Sequence, residues 1–505
     1  MRHDPDPRLL ALLREDLGAA GFTVEGLEAA WGAVAAAALG RDDPVPALAE
    51  LDRRPVTAAR LLGRLFVLGA GIPAASAPVA FPRLGLDGAV ALDLVETAGD
   101  EVRARVDLRP SAIADEHGVA SWWILSDLGE LALGGELPAE HVLGAGSASS
   151  TLAGITVPSD GGSVLDLGTG SGIQALHGAR TASRVVGTDL SARALRFAAM
   201  NGALNGVTID LREGDLYEPV AGERFDRIVS NPPFVITPRG ASDVPAYTYR
   251  DGGRVGDGLV AEVVRGARDH LAPGGIAQLL GNWEVREDDP AAARERVLEW
   301  VGPLDVWVVE RDLLDPAEYA ETWVRDGGAQ PGSPRWRSLV RAWLDDFAVR
   351  RVTAIGAGYL LLRAPGPGTA PLRRFEHLDT PLGGGLARAL AGGLAGHDWQ
   401  AARSDDALAD SRLTVAPDVT EHRHHWPGEA DPTVLELRQG SGFARVRRVD
   451  TVLAAVVGAC DGELSVRELV RAVARILQVD GDVTLAAVLP AVRELLVEGF
   501  LRPPS

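Results

Sequence analysis

Asn231, Pro232, Pro233 and Phe234 follow the apolar run "RIVS". The amide side chain supplies an acceptor oxygen, the two prolines lock the backbone after it, and the ring offers a flat face. That set suits a flat NH2 group. The lone pair of an amide or an exocyclic base amine is delocalised, so the nitrogen attacks poorly until it is oriented. The Asn231 oxygen can accept one N–H and the Pro232 carbonyl the other. Accepting both pushes electron density onto nitrogen as it pyramidalises in the transition state.

Upstream, "VLDLGTGSG" reads as a strand, a turn carrying Gly168, Thr169, Gly170 and Gly172, and a helix start. Glycines let a backbone turn tightly and approach a ligand. Asp189 ends the next strand, "RVVGTD", with Leu190 after it, and Gly214, Asp215 and Leu216 follow the third. A carboxylate at Asp189 can accept from ribose hydroxyls, and one at Asp215 from an adenine amino group. A dinucleotide favours G-x-G-x-x-G, with its pyrophosphate on a helix N-terminus. Here the turn is G-T-G-S-G, and Asp166 precedes it. That carboxylate would repel a pyrophosphate and attract a cationic amino acid. S-adenosylmethionine carries a sulfonium and an ammonium, so the acidic start favours it.

These residues need a parallel sheet to hold them. "GSVLDLG", "SRVVGTDLS", "VTIDLREGD", "FDRIVSN" and "GGIAQLLGNW" are short apolar runs, most of them separated by helical patterns such as "ARALRFAAMNGALNG". Strands alternating with helices imply an α/β, doubly wound, Rossmann-like sheet. "LDVWVVERD" and "AIGAGYLLLRAP" add a final pair of strands. Before residue 146, helices are expected over "DPRLLALLREDLGAAG", "PVTAARLLGRLFVLG" and "LGLDGAVALDLVETA", and "AAWGAVAAAALG" reads as one buried helix. A two-stranded wing is expected from "EVRARVDLRPS" and "VASWWILSDL", making residues 1 to 145 winged-helix-like. Residues 146 to 365 form the central domain. Beyond the joint "RAPGPGTAP", residues 366 to 505 end in a second winged-helix-like unit with a short closing wing, and Ser465 with Glu468 should make a capping box.

All 50 basic residues are arginines, and the net charge is −20, which does not suit a protein coating nucleic acid nonspecifically. The single cysteine, Cys460, rules out an internal disulfide and fits a reducing, cytoplasmic setting. The start reads as neither signal nor transit peptide, and no apolar run approaches the ~20 residues of a membrane span. Nothing in the sequence sets an oligomeric state.

With these motifs in place, the chain resembles class I S-adenosylmethionine-dependent methyltransferases, well over residues 145 to 285 and loosely to 365. The resemblance implies a seven-stranded sheet with an antiparallel last strand. It puts Asp166, Gly168 and Gly170 around the methionine part, Asp189 at the ribose and Asp215 at the adenine. "NPPF" matches the (Asn/Asp/Ser)-Pro-Pro-(Tyr/Phe/Trp) motif of enzymes that methylate planar nitrogen. "FDRIVSNPPFV" and "DLSARALRFAAMNGALNG" are most similar to the HemK-type protein glutamine N5-methyltransferases. That implies a protein or peptide substrate, which the acidic charge also favours. The overlapping alternative is a methyltransferase for an exocyclic amine in rRNA or DNA. Two others are a tailoring enzyme for a peptide or small molecule and a non-catalytic binding scaffold. The winged-helix-like start and the C-terminal extension depart from the HemK pattern.

Other residues invite weaker readings. "YRDGGRVGDGLV", Tyr249 to Val260, can cover a substrate or be a solvent loop capped by Asp257. "VLGAGSASSTLAGITV" can lie over the cofactor. Arg373, Arg374, Arg445, Arg447 and Arg448 are a basic patch or scattered surface residues. His422, His424 and His425 read as an exposed polar strand rather than a zinc site, so no metal is expected. Trp122 and Trp123 read as core rather than as base-stacking residues.

Overall fold

The computed structural model describes residues 5–41, 43–115, 117–133, 138, 140–158, 161–239, 252–366, 370–380 and 383–504. Contacts divide the chain into two units. The first takes in Met1–Ala153, Pro158–Pro303 and Asp312–Ala364, and the second Gly154–Val157, Leu304–Arg311 and Pro365–Ser505. Residues 1 to 145, expected as a domain of their own, thus share a unit with the central strands. Part of the joint "RAPGPGTAP", residues 367–369, lies outside the described residues.

Seven strands follow one another through the central region: β1 (Ser163–Leu167), β2 (Arg184–Asp189), β3 (Asp210–Glu213), β4 (Phe225–Ser230), β5 (Leu271–Arg286), β6 (Asp305–Leu314) and β7 (Val352–Arg363). In the first unit they lie in the order β3-β2-β1-β4-β5-β7. The first five are parallel, and β7 runs antiparallel to β5, as the resemblance implied. Val164, Leu165, Val185, Val186, Ile228 and Val229 are all buried, so both faces of the middle strands are covered. A sheet covered on both faces reads as continuous apolar runs rather than as alternation. Order reverses between β1 and β4, the point at which open α/β sheets bind ligands at the carboxyl ends of their strands.

The N-terminal helices stop and start where their caps dictate. Asp6 caps Pro7–Ala20 through the Arg8 N–H, and Gly21 ends it with φ 63°. The single helix expected over "AAWGAVAAAALG" is two, Val24–Trp31 and Ala33–Leu39, because Gly32 sits at φ 85° between them. "LGLDGAVALDLVETA" likewise divides into the helix Gly85–Ala91 and the strand Val95–Ala98. That strand corrects the expected wing. Glu101–Ala104 turns back on Val95–Ala98 and also pairs with Ile72–Pro73. Asp107–Asp115 instead forms a separate long hairpin with Gly118–Ser126.

The long hairpin docks on the helix Ala192–Asn205 through two amides one turn apart. Asn201 accepts from the Leu125 N–H at 2.7 Å and donates to the Leu125 and Ser171 carbonyls. Asn205 accepts from the Trp123 N–H at 2.9 Å and donates to the Trp123 carbonyl. The two side chains thus satisfy edge-strand groups that would otherwise need another strand. Trp122 is buried against Ile173 and Leu176, and the Trp123 indole donates to the Phe22 carbonyl at 2.7 Å, so both rings serve packing.

In the second unit, β6 pairs in parallel with β8 (Arg373–His377), a strand too short and charged to announce itself in sequence. The helices Leu386–Ala401, Thr451–Gly458, Val466–Leu477 and Gly481–Glu498 follow. The capping box forms: the Ser465 N–H donates to Glu468 at 2.8 Å and the Glu468 N–H to Ser465 Oγ at 3.3 Å. The expected closing wing is not a local hairpin, since Leu501–Arg502 pairs with Thr414–Val415.

Three of the arginines read as a basic patch or as scattered surface residues are paired inside this unit. Arg445 binds Glu376 at 2.6 Å, Arg374 reaches Glu376, Glu494 and Glu498, and Arg447 binds Glu498 at 2.6 Å. Trp307 donates to Glu376 and lies within 6 Å of the Arg374 and Arg445 guanidinium carbons. Arg373 and Arg448 are exposed, Arg448 near Glu436. His422 and His424 lie on the exposed strand Val419–His424, His422 beside Thr420 and His424 beside Glu436.

Candidate active site

Four expected site segments come together because four neighbouring parallel strands end at one level. Leu167 is in register with Thr188 and with Ser230, and Asp189 with Glu213. The glycine turn after β1, Asp189 at the end of β2, Gly214–Leu216 after β3 and Asn231 after β4 therefore lie together at one edge of the sheet. Ser230 Oγ donates to the Leu167 carbonyl at 2.8 Å and fastens the two middle strand ends together.

The turn is built for a close ligand. Gly168, Gly170 and Gly172 have φ of 72°, 53° and 86°. A Cβ at Gly168 or Gly170 would meet no protein atom within 4 Å, so these positions face open space. At Gly172 it would press on Ala198 at 3.2 Å, where the helix Ala192–Asn205 crosses. The Gly168 and Thr169 N–H groups both donate to the Thr188 carbonyl, at 2.9 and 2.8 Å. Asp189 braces the far side: it accepts from the Gly170 N–H at 2.9 Å and the Ser191 N–H at 2.8 Å. Burial pushes its carboxyl above the usual aspartate range. Leu190, next along, is 61% exposed and leaves an apolar side chain at the rim.

Asp166 is buried, and its Oδ2 accepts from Thr169 Oγ1 at 2.7 Å and the Ala175 N–H at 2.9 Å. These contacts tie the turn to its helix. Burial holds the carboxyl up to about 7, with the Asp189 charge adding to it. Unfolded aspartates titrate near 3.9, so the folded chain binds this proton more tightly. Asp166 therefore adds stability as pH falls through 7, and the gain fades as pH rises through it. Between pH 7.5 and 5.5 the gain should be about 2 kcal/mol. Asp166→Asn should lack that increment in the difference between wild-type and variant denaturant unfolding.

Asp215 stands half-exposed, its Oδ2 held by Arg254 at 3.0 Å. Gly214 donates to the Asp189 carbonyl at 3.0 Å, and Leu216 takes φ 47°. The Asn231 Oδ1 is buried and has no hydrogen-bond partner among the described residues. Behind it, Pro232 is buried, Pro233 and Phe234 are half-buried, and the Phe234 ring meets Trp323 edge-on at 6.3 Å.

Several positioning groups escaped the sequence reading. Tyr319 is buried, and its hydroxyl accepts from the Ile236 N–H at 3.0 Å and from Asn282 Nδ2 at 2.6 Å. It anchors the segment after the two prolines to β5. Ser171 Oγ donates to the Leu143 carbonyl at 2.7 Å and Gln174 Nε2 to the Ser149 carbonyl at 2.8 Å. These bonds lay part of "VLGAGSASSTLAGITV" against the glycine turn. Tyr249 to Asp251 of the expected covering loop lie outside the described residues. Within the rest, Asp257 does not cap its own helix; it accepts from the Glu284 N–H at 2.9 Å and Arg296 at 2.7 Å.

Parts of the chain resemble known proteins. Residues 146–289 match the family described as methyltransferase small domain. Residues 19–105 and 392–503 match two domains of unknown function, DUF7059 and DUF7782. The release factor glutamine methyltransferase of Xylella fastidiosa (strain 9a5c) is 39% identical over 158 residues, which are 29% of this chain and 54% of that protein. The ribosomal protein uL3 glutamine methyltransferase of Bradyrhizobium diazoefficiens is 33% identical over 195 residues, 35% of this chain and 59% of that one. The chain thus spans about half the length of the curated relatives it matches. A solved 16S rRNA N2 G1207 methyltransferase of T. thermophilus aligns at 20% identity and a TM-score of 0.24, over 48% of this chain and 62% of its own. Residues 146–289 thus carry the match to a methyltransferase small domain, and over 158 to 195 residues the chain is similar to protein glutamine methyltransferases.

Proposed function

We propose that the first unit binds S-adenosylmethionine and methylates a planar NH2 group, the side-chain amide of a protein glutamine. One observation carries the reading: the buried, unpartnered Oδ1 of Asn231, at the point where strand order reverses. A buried acceptor without a donor costs stability. An incoming N–H removes that cost.

The glycine turn fits the cofactor, since its two open positions leave room for a ligand against the backbone. Gly168 and Gly170 would lie along the methionine part, Asp189 at the ribose hydroxyls, and Asp215 with Leu190 and Leu216 at the adenine. When bound, the group supplies an activated methyl on a sulfonium. The chain's own contribution is placement. Asn231 Oδ1 takes one substrate N–H and the Pro232 carbonyl the other. Pro232 and Pro233 fix that carbonyl's direction, and Phe234 lies against the flat substrate. Holding both N–H groups before reaction replaces the entropy loss of a bimolecular encounter.

The flanking modules present the protein substrate on this reading. Residues 58–104 run helix, short strand, two helices, then two antiparallel strands, consistent with a winged-helix-like module. Among the described residues, no helix is long and apolar enough to cross a membrane. A cytoplasmic setting suits the buried free thiol of Cys460.

Transfer of labelled methyl groups into fractionated cell extract tests the reading. Label in protease-sensitive material, recovered as methylated glutamine, is expected. Label in nuclease-sensitive material would move the acceptor to a base amine.

A further inference from the structure

Asp215 has two oxygens but one described partner. Arg254 donates to Oδ2 at 3.0 Å, and Oδ1 makes no hydrogen bond among the described residues. The same guanidinium donates from Nε to both oxygens of Glu262, at 3.1 and 2.9 Å. Arg254 therefore lies between a carboxylate after β3 and one on the helix Gly258–His270. Its own backbone carbonyl accepts from Arg239 Nε at 3.1 Å, and Arg239 follows the two prolines by a few residues.

A guanidinium is planar and presents its donors in a fixed fork. Bound through Nε to Glu262 and through Nη2 to Asp215, it restricts how the Asp215 carboxylate can turn. With Oδ2 occupied, Oδ1 is left for a second donor, and a carboxylate oxygen has room for one. The amino group of an adenine is such a donor.

We propose that Arg254 is a positioning residue for the adenine end of the cofactor site, acting through Asp215. It clamps Oδ2 so that Oδ1 faces the ligand, and through the Arg239 bond it joins the cofactor end to the segment that leaves the methyl-accepting end. The proposal rests on the cofactor assignment given above and goes beyond it by adding a residue that never touches the ligand.

The test is a double-mutant cycle read as the dissociation constant of S-adenosylhomocysteine, measured by calorimetry on the full chain. Arg254→Ala should raise it about tenfold, and Asp215→Ala by a similar factor. If Arg254 acts through Asp215, adding Arg254→Ala to Asp215→Ala should change affinity less than about threefold further. Arg254→Lys, which keeps the charge but loses the fork, should fall between wild type and Arg254→Ala. Full additivity in the double variant would overturn the proposal, as would an Arg254→Ala chain that binds like wild type. A wild-type chain that binds no S-adenosylhomocysteine would instead remove the proposed function, and this inference with it.

Discussion

Asn231→Ala should lower methyl transfer by about 10²–10³-fold and leave the chain no less stable. The two effects have one cause. Most buried polar side chains are paired, and truncating one leaves its partner orphaned. The Asn231 oxygen is buried and unpaired, so alanine removes an uncompensated acceptor and orphans nothing through that atom. Denaturant unfolding should show a change between zero and a gain of about 1 kcal/mol. On the proposed reading, the same atom in the transition state holds one of two N–H groups of a nitrogen that is gaining positive charge. A lost acceptor at developing charge costs on the order of 3–4 kcal/mol of barrier. Because on the proposed reading the residue faces the methyl acceptor, the affinity for S-adenosylhomocysteine should stay within about twofold of wild type. Steady-state rates with saturating cofactor, unfolding curves and calorimetry on one preparation check all three. A collapse of cofactor affinity, or a loss of stability above about 2 kcal/mol, would place Asn231 in the cofactor site or the core instead.

The site was legible where function and backbone geometry coincide. Gly168, Gly170 and Gly172 are glycines because the turn needs positive φ, and that need is written in the residue type. Asp189 and Asn231 were legible because each ends an apolar run, and ends of parallel strands share one level. Groups whose partners lie far along the chain were not. Tyr319 meets Ile236 across 83 residues, and no local pattern marks one tyrosine of a helix as the anchor of a distant loop. Asn201 and Asn205 left a fainter trace. Two amides four apart on an otherwise apolar helix face are poor solvent residues and good partners for an unpaired strand edge, so "MNGALNG" was readable in principle. The wing was misplaced for a simpler reason. "EVRARVDLRPS" alternates throughout, and period alone does not show that the chain changes sheets between Ala104 and Asp107. The arginines misled because charge was read without partners. Arg374, Arg445 and Arg447 are matched by Glu376, Glu494 and Glu498, and all but Glu376 lie more than 40 residues from Arg374. A balanced, partly buried network of that kind reads in sequence as scattered surface charge.

The second large effect belongs to Asp189→Ala, which should weaken binding of S-adenosylhomocysteine by about 10²-fold. Its carboxylate does two things at once. It accepts from the Gly170 and Ser191 N–H groups, so it sets the shape of the glycine turn and the entry of the next helix. On the proposed reading its remaining lone pairs accept from the ribose hydroxyls. Alanine removes both, and no neighbour takes over the two backbone donors. Asn should be milder, about tenfold, because the amide keeps one acceptor oxygen but must turn an NH2 toward a donor. A pH series separates the two roles. Burial lifts this carboxyl above the ordinary aspartate range, and only its ionised form accepts from every direction. Cofactor affinity in the wild type should therefore fall as pH drops through that raised pKa, at a pH where an exposed aspartate would still be ionised. In Asp189→Asn the fall should be absent or shallower. A wild-type affinity flat across that range, together with Asp189→Ala binding as tightly as wild type, would show that the carboxylate only braces the turn.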